Sequence, residues 1–423
     1  VAVEPDAPPP TPAAPLAGAE RIEAIDVLRG LAVLGILVMN VQSFGDIGAA
    51  YMNPAVRGVP EGGDLVLWGL GHLLADTKFI TLFSLLFGVG IAVFAERLAA
   101  RGRAPAGLHY RRMGWLWLIG MLHGYLLWYG DILVSYAVCG AVVYLLRRLR
   151  PRWLVLVGAA MIAIPSLGMR GFAAVVEHLP PDALEQMAHG WAPPPETMAR
   201  ELEAMRGGWL QQMPQRAMET LMMQTFVHLF FIAWRSGGLM LIGMAALKTG
   251  VVTASRSPRF YRVMLVVGLA TGVPLVVTGM VLNHRVGWAL PYSMLDGMQF
   301  NYWGSFGIAA AYLALVMLTV QAGALPAVRA RLGAVGRMAF SNYLGQTLIC
   351  TTVFYGHGLG LFGRTERWHD LALVLAIWAL QLLVSPWWLA RFRFGPMEWL
   401  WRSLTYWRRQ PFARDRRPAV AAG

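Results

Sequence analysis

The sequence has few cysteines and few charged residues. Its only cysteines, Cys139 and Cys350, lie in apolar runs, which excludes a disulfide framework and a Cys-x-x-Cys metal site. Charged residues are 14% of the 423 residues, against about a quarter in soluble globular proteins, and 57% are hydrophobic. With a mean hydropathy of +0.51, this balance predicts an all-α fold, a polytopic transmembrane helix bundle.

Recognisable soluble-enzyme motifs are also missing. The sequence holds no His-Glu-x-x-His, Gly-x-Ser-x-Gly, Walker A or dinucleotide-binding motif, and its histidines are too scattered for a metal site. The formal net charge of +13 comes from arginines in short clusters between apolar runs, which is typical of cytoplasmic loops. We therefore expect membrane lipids as surroundings, no nucleic-acid partner and no metal.

About ten segments are apolar enough to be spans. They are Arg21–Gln42, Phe79–Leu98, Met113–Trp128, Ile132–Leu146, Trp153–Leu167, Leu221–Leu247, Met264–Leu282, Gly304–Val320, Met338–Tyr355 and Leu371–Leu389. Arginine clusters follow the even-numbered spans, so the positive-inside rule predicts that both termini are cytoplasmic.

Three segments fall outside the predicted spans. Residues 1–20 are rich in Pro and Ala and are expected to be disordered. The transmembrane domain is expected over 21–407, with an acidic extracytoplasmic segment at 170–219. Residues 408–423 are expected to form a basic cytoplasmic tail.

The first span carries polar groups that a plain anchor does not need. Asp26 and Arg29 are three residues apart, so they share a helix face and can pair, while Gly30 and Gly35 allow another helix to approach closely. Asn40 follows in the far half of the span. We interpret this span as the central helix of the bundle; the alternative is that Asp26 and Arg29 only mark the membrane interface.

His123 lies within the third span, and Asp131 begins the fourth after a tight turn. An imidazole oriented by a carboxylate is the arrangement of a general base. Direct contact is not required by the spacing, because His123 lies roughly 8–10 Å below the turn at a rise of 1.5 Å per residue. The alternative is a neutral histidine that only hydrogen-bonds between helices.

Further polar side chains lie near other spans. His72 and Lys78 precede the second span and are candidate substrate-binding residues. Asn342 and Gln346 are one turn apart in the ninth and, with Asn40, either line a polar cavity or only hydrogen-bond between helices. The basic, aromatic segment 391–409 suits either the lipid interface or the phosphates of a nucleotide-like donor.

Six motifs carry a resemblance to a known family. They are Asp26-Val-Leu-Arg29-Gly30 with GILVMN to Asn40, YMNP at 51–54, KFITLFSLLFGVG from Lys78, HGYLLWYGDIL at 123–133, GRMAFSNYLGQ at 336–346 and GPMEWLWRSLTY at 395–406. In order and spacing they resemble the YeiB-type, domain of unknown function 418, family of bacterial membrane proteins over residues 21–408. The resemblance implies a multi-pass protein of the bacterial inner membrane.

This family is similar, chiefly in the Asp-x-x-Arg-Gly pattern, to transmembrane acyltransferases such as heparan-α-glucosaminide N-acetyltransferase. The likeness implies acyl transfer from cytoplasmic acyl-CoA, such as acetyl-CoA, to a sugar or lipid-linked acceptor across the membrane. His72 lies in the region comparable to that of those enzymes' catalytic histidine, but its neighbours do not match.

The leading hypothesis is therefore a membrane acyltransferase. His123 is its expected base, Asp131 orients that base, and Arg29 meets a donor phosphate. The amides of Asn40, Asn342 and Gln346 line the path or polarise the acyl carbonyl. The alternative is a transporter that uses the same cavity, with His123 and Asp131 as a proton relay. The sequence leaves the oligomeric state open, a homodimer included.

The alternating arginine clusters generate a topology prediction. A reporter fused after Arg417 should be cytoplasmic and one inserted near Glu196 extracytoplasmic, as measured by paired alkaline phosphatase and fluorescent fusions. Both reporters on one side of the membrane would rule out the ten-span arrangement.

Overall fold

A computed structural model describes residues 22–414, so the tail expected at 1–20 and the end of the basic tail lie outside the described residues. The described chain is helical, which confirms the all-α bundle. Its α-helices are α1 (Glu23–Gly45), α2 (Gly48–Met52), α3 (Gly62–Leu74), α4 (Lys78–Ala100), α5 (Ala106–Leu126), α6 (Leu133–Val143), α7 (Pro151–Ala173), α8 (Pro181–Trp191), α9 (Pro195–Arg206), α10 (Met213–Met222), α11 (Ala233–Lys248), α12 (Pro258–Arg285), α13 (Met298–Gln321), α14 (Pro326–Arg337), α15 (Ala339–Phe354), α16 (Arg367–Arg391) and α17 (Pro396–Tyr406).

Seven helical segments among the described residues are long and apolar enough to cross a membrane. They are Glu23–Gly45, Gly62–Ala100, Pro151–Ala173, Met213–Lys248, Pro258–Arg285, Ser293–Gln321 and Arg367–Arg391. The third, fourth and ninth predicted spans are also helices, α5, α6 and α15, but do not meet the same length and hydropathy. The protein is thus a multi-pass membrane protein, and the count of ten spans stays a prediction.

Helix α1 is the central helix, as its sequence predicts. It packs against α4, α13, α14, α15 and α16. The most apolar part of α1 is 72% buried inside the protein, against 22% for α12 and for α16, which lie at the periphery.

Two glycines bring α1 and α14 into backbone contact. A Cβ on Gly30 would lie 2.0 Å from the carbonyl oxygen of Leu332, and one on Gly336 would lie 1.9 Å from that of Asp26. Gly35 makes room for a side chain instead, since its Cβ would lie 2.2 Å from the ring of Phe79. Both glycines of α1 therefore permit the close approach expected of them.

The basic region before the ninth span is the helix α14, which sequence reasoning treated as a loop. It ends at Arg337, and α15 begins at Ala339 after a bend at Met338, where φ is −110° and ψ is 25°.

The second span also differs from its predicted form, because α3 leads into α4 through a break at 75–77 in which Thr77 is left-handed, with φ of 62°. The sixth span begins earlier than expected, at Met213, and passes through a π-helical stretch, Met223–Ile232, into α11.

Residues near both ends of the described chain line the arginine-rich cavity. Ile22, before α1, and Arg393, before α17, line the same cavity. That both termini are cytoplasmic remains a prediction from the arginine distribution.

The crossing of α4 and α11 generates a stability prediction. A Cβ on Gly88 would lie 2.0 Å from the carbonyl oxygen of Met240, so Gly88→Ala should force the helices apart and cost about 1–3 kcal/mol of unfolding free energy. The matched control is Gly90→Ala on the same helix, since a Cβ there meets nothing within 4 Å. The measurement is thermal melting in detergent. Equal melting temperatures for Gly88→Ala and Gly90→Ala would contradict this packing.

Candidate functional site: an arginine-rimmed cavity beneath a buried histidine

A cavity of about 350 Å³ lies between α1, α4, α5, α15 and α17. Its lining is rich in arginine: Arg29, Arg97, Arg101, Arg112, Arg337, Arg393 and Arg402. The lining carboxylates are Asp26 and Glu398, so positive charge dominates. Such a surface attracts a polyanion, because guanidinium groups bind phosphate through paired N–H donors.

Aromatic rings hold several of these guanidinium groups. Arg112 lies over the ring of Trp401, 4.3 Å from its centroid, and Arg402 lies 4.6 Å from that of Phe394. Arg29 Nη1 lies 3.1 Å from Asp26 Oδ1, so the pair expected in the first helix is present. Stacking on a ring fixes a guanidinium plane while its edges remain directed at hydrogen-bond acceptors.

Glu398 joins the C-terminal segment to the start of α15. Its Oε1 accepts hydrogen bonds from the backbone N–H groups of Phe340, at 2.8 Å, and Ser341, at 3.1 Å, and its Oε2 accepts from the Ser341 hydroxyl. A carboxylate at a helix N-terminus satisfies N–H groups that have no partner within the helix. Burial raises the pKa of Glu398, although these hydrogen bonds oppose the shift.

The inner part of the cavity is apolar and deep. Along α4 its lining runs from Arg101 to Phe83, which corresponds to about 27 Å at 1.5 Å per residue. At the inner end it meets Ile132 and Leu133, where α6 begins, and Tyr343 of α15. The cavity therefore leads from charged residues at one end of the bundle almost to the other.

His123 lies behind the inner end and is hydrogen-bonded through both ring nitrogens. Its Nδ1 lies 2.8 Å from Asp131 Oδ1 and its Nε2 lies 2.9 Å from Thr347 Oγ1. The other carboxylate oxygen of Asp131 accepts from the backbone N–H of Val134 at 2.9 Å. His123 and Asp131 are each 2% exposed and Thr347 is 1% exposed.

The turn between α5 and α6 folds inward to bring Asp131 to His123. In this turn Trp128 lies so close to Gly130 that a Cβ on the glycine would meet the indole ring at 2.3 Å. Trp128 also stacks on Phe44, with ring centroids 4.0 Å apart. The direct contact between His123 and Asp131, which their spacing in the sequence did not require, therefore depends on Gly130 and on the buried indole of Trp128.

Two aromatic rings flank the imidazole. Tyr343, which lines the cavity, has its ring centroid 5.4 Å from that of His123, and Trp128 has its centroid 6.4 Å away. Trp128 belongs to the turn at the far end of α5, so one ring contacts His123 from the cavity and the other from this turn.

Comparison with known proteins identifies the family. The family described as "Protein of unknown function (DUF418)" matches residues 246–408. "Uncharacterized protein YeiB" of Escherichia coli (strain K12) is 33% identical over 91% of this chain and 96% of its own length. "Uncharacterized protein YxaH" of Bacillus subtilis (strain 168) is 31% identical over 93% of this chain and 96% of its own length. The chain belongs to the DUF418 family. No solved structure matches it.

In this DUF418 protein the predicted amides do not line the cavity. Asn342 donates to the carbonyl oxygen of Val335 and to Ser385 Oγ, both at 3.1 Å. Gln346 donates to the carbonyl oxygen of Val33 at 3.2 Å and to Gln381 Oε1 at 3.0 Å. Asn40 is partly buried on α1 and lies outside the cavity lining. For Asn342 and Gln346 the contacts are those of the alternative, hydrogen bonding between helices.

His72 and Lys78 belong to a second buried polar network at the break between α3 and α4. His72 Nδ1 lies 3.0 Å from Asp76 Oδ2, which also accepts from Asn301 Nδ2 at 2.7 Å. Lys78 is fully buried and donates to Asn301 Oδ1 at 2.5 Å and to the carbonyl oxygen of His72 at 2.6 Å. Neither residue lines the arginine cavity.

Sequence reasoning missed Thr347, Tyr343 and most of the arginine rim. A threonine or tyrosine in a span gives no distinctive signal, because such residues commonly hydrogen-bond between helices. The segment around Arg393 and Arg402 did carry a signal, and both arginines line the cavity.

Proposed function

We propose that this protein is a membrane acyltransferase of the bacterial plasma membrane. It takes an acyl group from cytoplasmic acyl-CoA and transfers it to an extracytoplasmic or lipid-linked hydroxyl or amine. One observation carries the proposal: a cavity that begins among arginines ends at Tyr343, whose ring packs on the hydrogen-bonded His123.

The outer part of the cavity suits the phosphates of the donor. Several arginines around one opening favour a ligand with several negative charges, and bidentate N–H donors suit phosphate oxygens. Arg29 stays next to Asp26, so this carboxylate holds its guanidinium in position at the mouth.

The inner part suits the arm and acyl group of the donor. Its lining changes from arginine to apolar and aromatic side chains such as Leu116, Leu133 and Tyr136. A ligand charged at one end and uncharged at the other matches this order, and its thioester would then lie next to Tyr343.

His123 is the general base in this proposal. Asp131 accepts the Nδ1 proton and so fixes the tautomer in which Nε2 has a free electron pair for a proton. Burial excludes water, which would otherwise hydrolyse the thioester. The acceptor would enter from the side of Trp128, opposite to the donor.

A transporter is the second candidate, and the network of His72, Asp76, Lys78 and Asn301 favours it. Ionisable side chains inside a membrane bundle commonly relay protons. Labelled acyl-CoA separates the two functions, since an enzyme transfers the label to an acceptor whereas a transporter moves an unmodified solute.

The base role of His123 is tested by its replacement. His123→Gln keeps a hydrogen-bonding side chain of similar size but cannot accept a proton near neutral pH. It should lower kcat for acyl transfer from acetyl-CoA by about 10²–10⁴-fold and leave the KM for the donor unchanged. Asp131→Asn should lose less, because the imidazole remains.

The measurement is the release of free thiol and the transfer of labelled acetyl in proteoliposomes containing a bacterial lipid extract. His109→Gln is the matched control, since His109 is a fully buried histidine of the same helix that bonds the carbonyl oxygen of Gly140 at 3.1 Å. Wild-type turnover in His123→Gln would reduce His123 to a packing role.

A further inference from the structure

Thr347 completes a chain of hydrogen bonds that begins at Asp131. The Asp131 carboxylate accepts from Nδ1 of His123, so Nε2 is the acceptor and the Thr347 hydroxyl is its donor, over 2.9 Å. A hydroxyl that donates to an imidazole, itself oriented by a buried carboxylate, is the geometry of an activated nucleophile.

We propose that Thr347 is the nucleophile of the reaction and carries the acyl group as a covalent ester. This inference rests on the proposed acyltransferase function and adds to it the residue that receives the acyl group. Three arguments support it. They are the hydrogen bond between Thr347 and His123, the chemistry of the group formed by Asp131, His123 and Thr347, and the packing of Tyr343 and Trp128 around His123.

Thr347 has a hydrogen-bond partner, His123, that an ordinary helical threonine lacks. Such residues donate to the carbonyl oxygen four positions earlier, as Thr352 does to Leu348 at 2.7 Å and Thr271 does to Val267 at 2.8 Å. Thr347 also has the corresponding hydrogen bond, to the carbonyl oxygen of Tyr343, but at 3.4 Å it is longer than the contact with His123 at 2.9 Å. A hydroxyl has one proton, and the shorter distance, together with an Nδ1 that donates to Asp131, favours the imidazole as its acceptor.

The first half-reaction transfers the acyl group to the protein. The Thr347 oxygen attacks the thioester carbonyl carbon while its proton passes to His123 Nε2. The carbon–sulfur bond then breaks, and the leaving thiolate takes this proton from Nε2. The products are free CoA thiol and an ester on Thr347, and His123 returns to its starting state.

The second half-reaction releases the acyl group. An acceptor hydroxyl or amine attacks the ester carbonyl carbon and gives its proton to Nε2. The ester bond to Thr347 breaks, and the threonine oxygen takes back the proton. No oxidant, reductant or metal is required for either half.

Closure on two sides is the reason for a covalent carrier. Tyr343 lies between the donor cavity and His123, and Trp128 covers His123 from the other end of the bundle. Direct transfer would need both rings to move at once, which would connect the two sides of the membrane through the site. With an acyl ester on Thr347, donor and acceptor enter at different times, and one ring stays in place at each step.

The test uses purified full-length protein, labelled acetyl-CoA and no acceptor. The wild type should gain one acetyl group on the peptide that contains Thr347, detected by mass spectrometry and removed by alkaline hydroxylamine. Thr347→Val removes the hydroxyl at nearly constant shape and should abolish the label. Its turnover should fall by roughly 10²–10⁴-fold, because the base then has no nucleophile to activate.

Two further variants control for folding. Thr347→Ser restores a hydroxyl and should restore the label. Thr351→Val, one turn later on α15, removes another buried hydroxyl, which donates to the carbonyl oxygen of Leu348 at 3.3 Å, and should keep both label and turnover. The melting temperatures of Thr347→Val and Thr347→Ser should differ from that of the wild type by no more than the melting temperature of Thr351→Val does.

The outcomes separate this inference from the function on which it rests. Wild-type turnover in Thr347→Val, with no label on the wild-type protein, would overturn the covalent carrier and leave direct acyl transfer standing. A wild type that releases no thiol from acetyl-CoA and takes no label would contradict the proposed function, and the inference with it.

Discussion

The buried carboxylate of Asp131 is the constraint on which the site depends. A carboxyl group in an apolar interior is unfavourable unless its oxygens are hydrogen-bonded, and Asp131 meets this condition through His123 and the N–H of Val134. These bonds tie the ends of α5 and α6 together and set the tautomer of the imidazole. Loss of this carboxylate would therefore disturb the hairpin, the histidine and the contact with Thr347 together.

The central helix connects this buried pair to the charged mouth. Its glycine contact with α14 brings Gly336 against the backbone at Asp26, and α15 follows directly with Tyr343 and Thr347 on one face. Glu398 secures the start of α15 by accepting its first N–H groups. The arginine cavity and the candidate nucleophile are thus held by the same short stretch of chain, around the bend at Met338.

Local signals predicted much of this arrangement. The length of the apolar segments predicted the helices, and the positions of Gly30 and Gly35 predicted the central helix. A histidine within one span and a carboxylate at the start of the next, eight positions later, predicted the candidate base. The sequence could not predict which residues far apart in the chain come into contact. Thr347 is 224 positions from His123, and the rim arginines come from five helices and the segments beside them. The amides at Asn342 and Gln346 were also ambiguous, since the same residues suit a cavity wall or a contact between helices.

The central claim is that the arginine cavity holds an acyl-CoA whose reactive end approaches His123. A cryo-electron microscopy map of the protein with saturating CoA tests it most directly. The account predicts density for the phosphates among Arg29, Arg112 and Arg402, with the thiol end next to Tyr343. A cavity filled by membrane lipid under these conditions, or CoA bound at another surface, would contradict it.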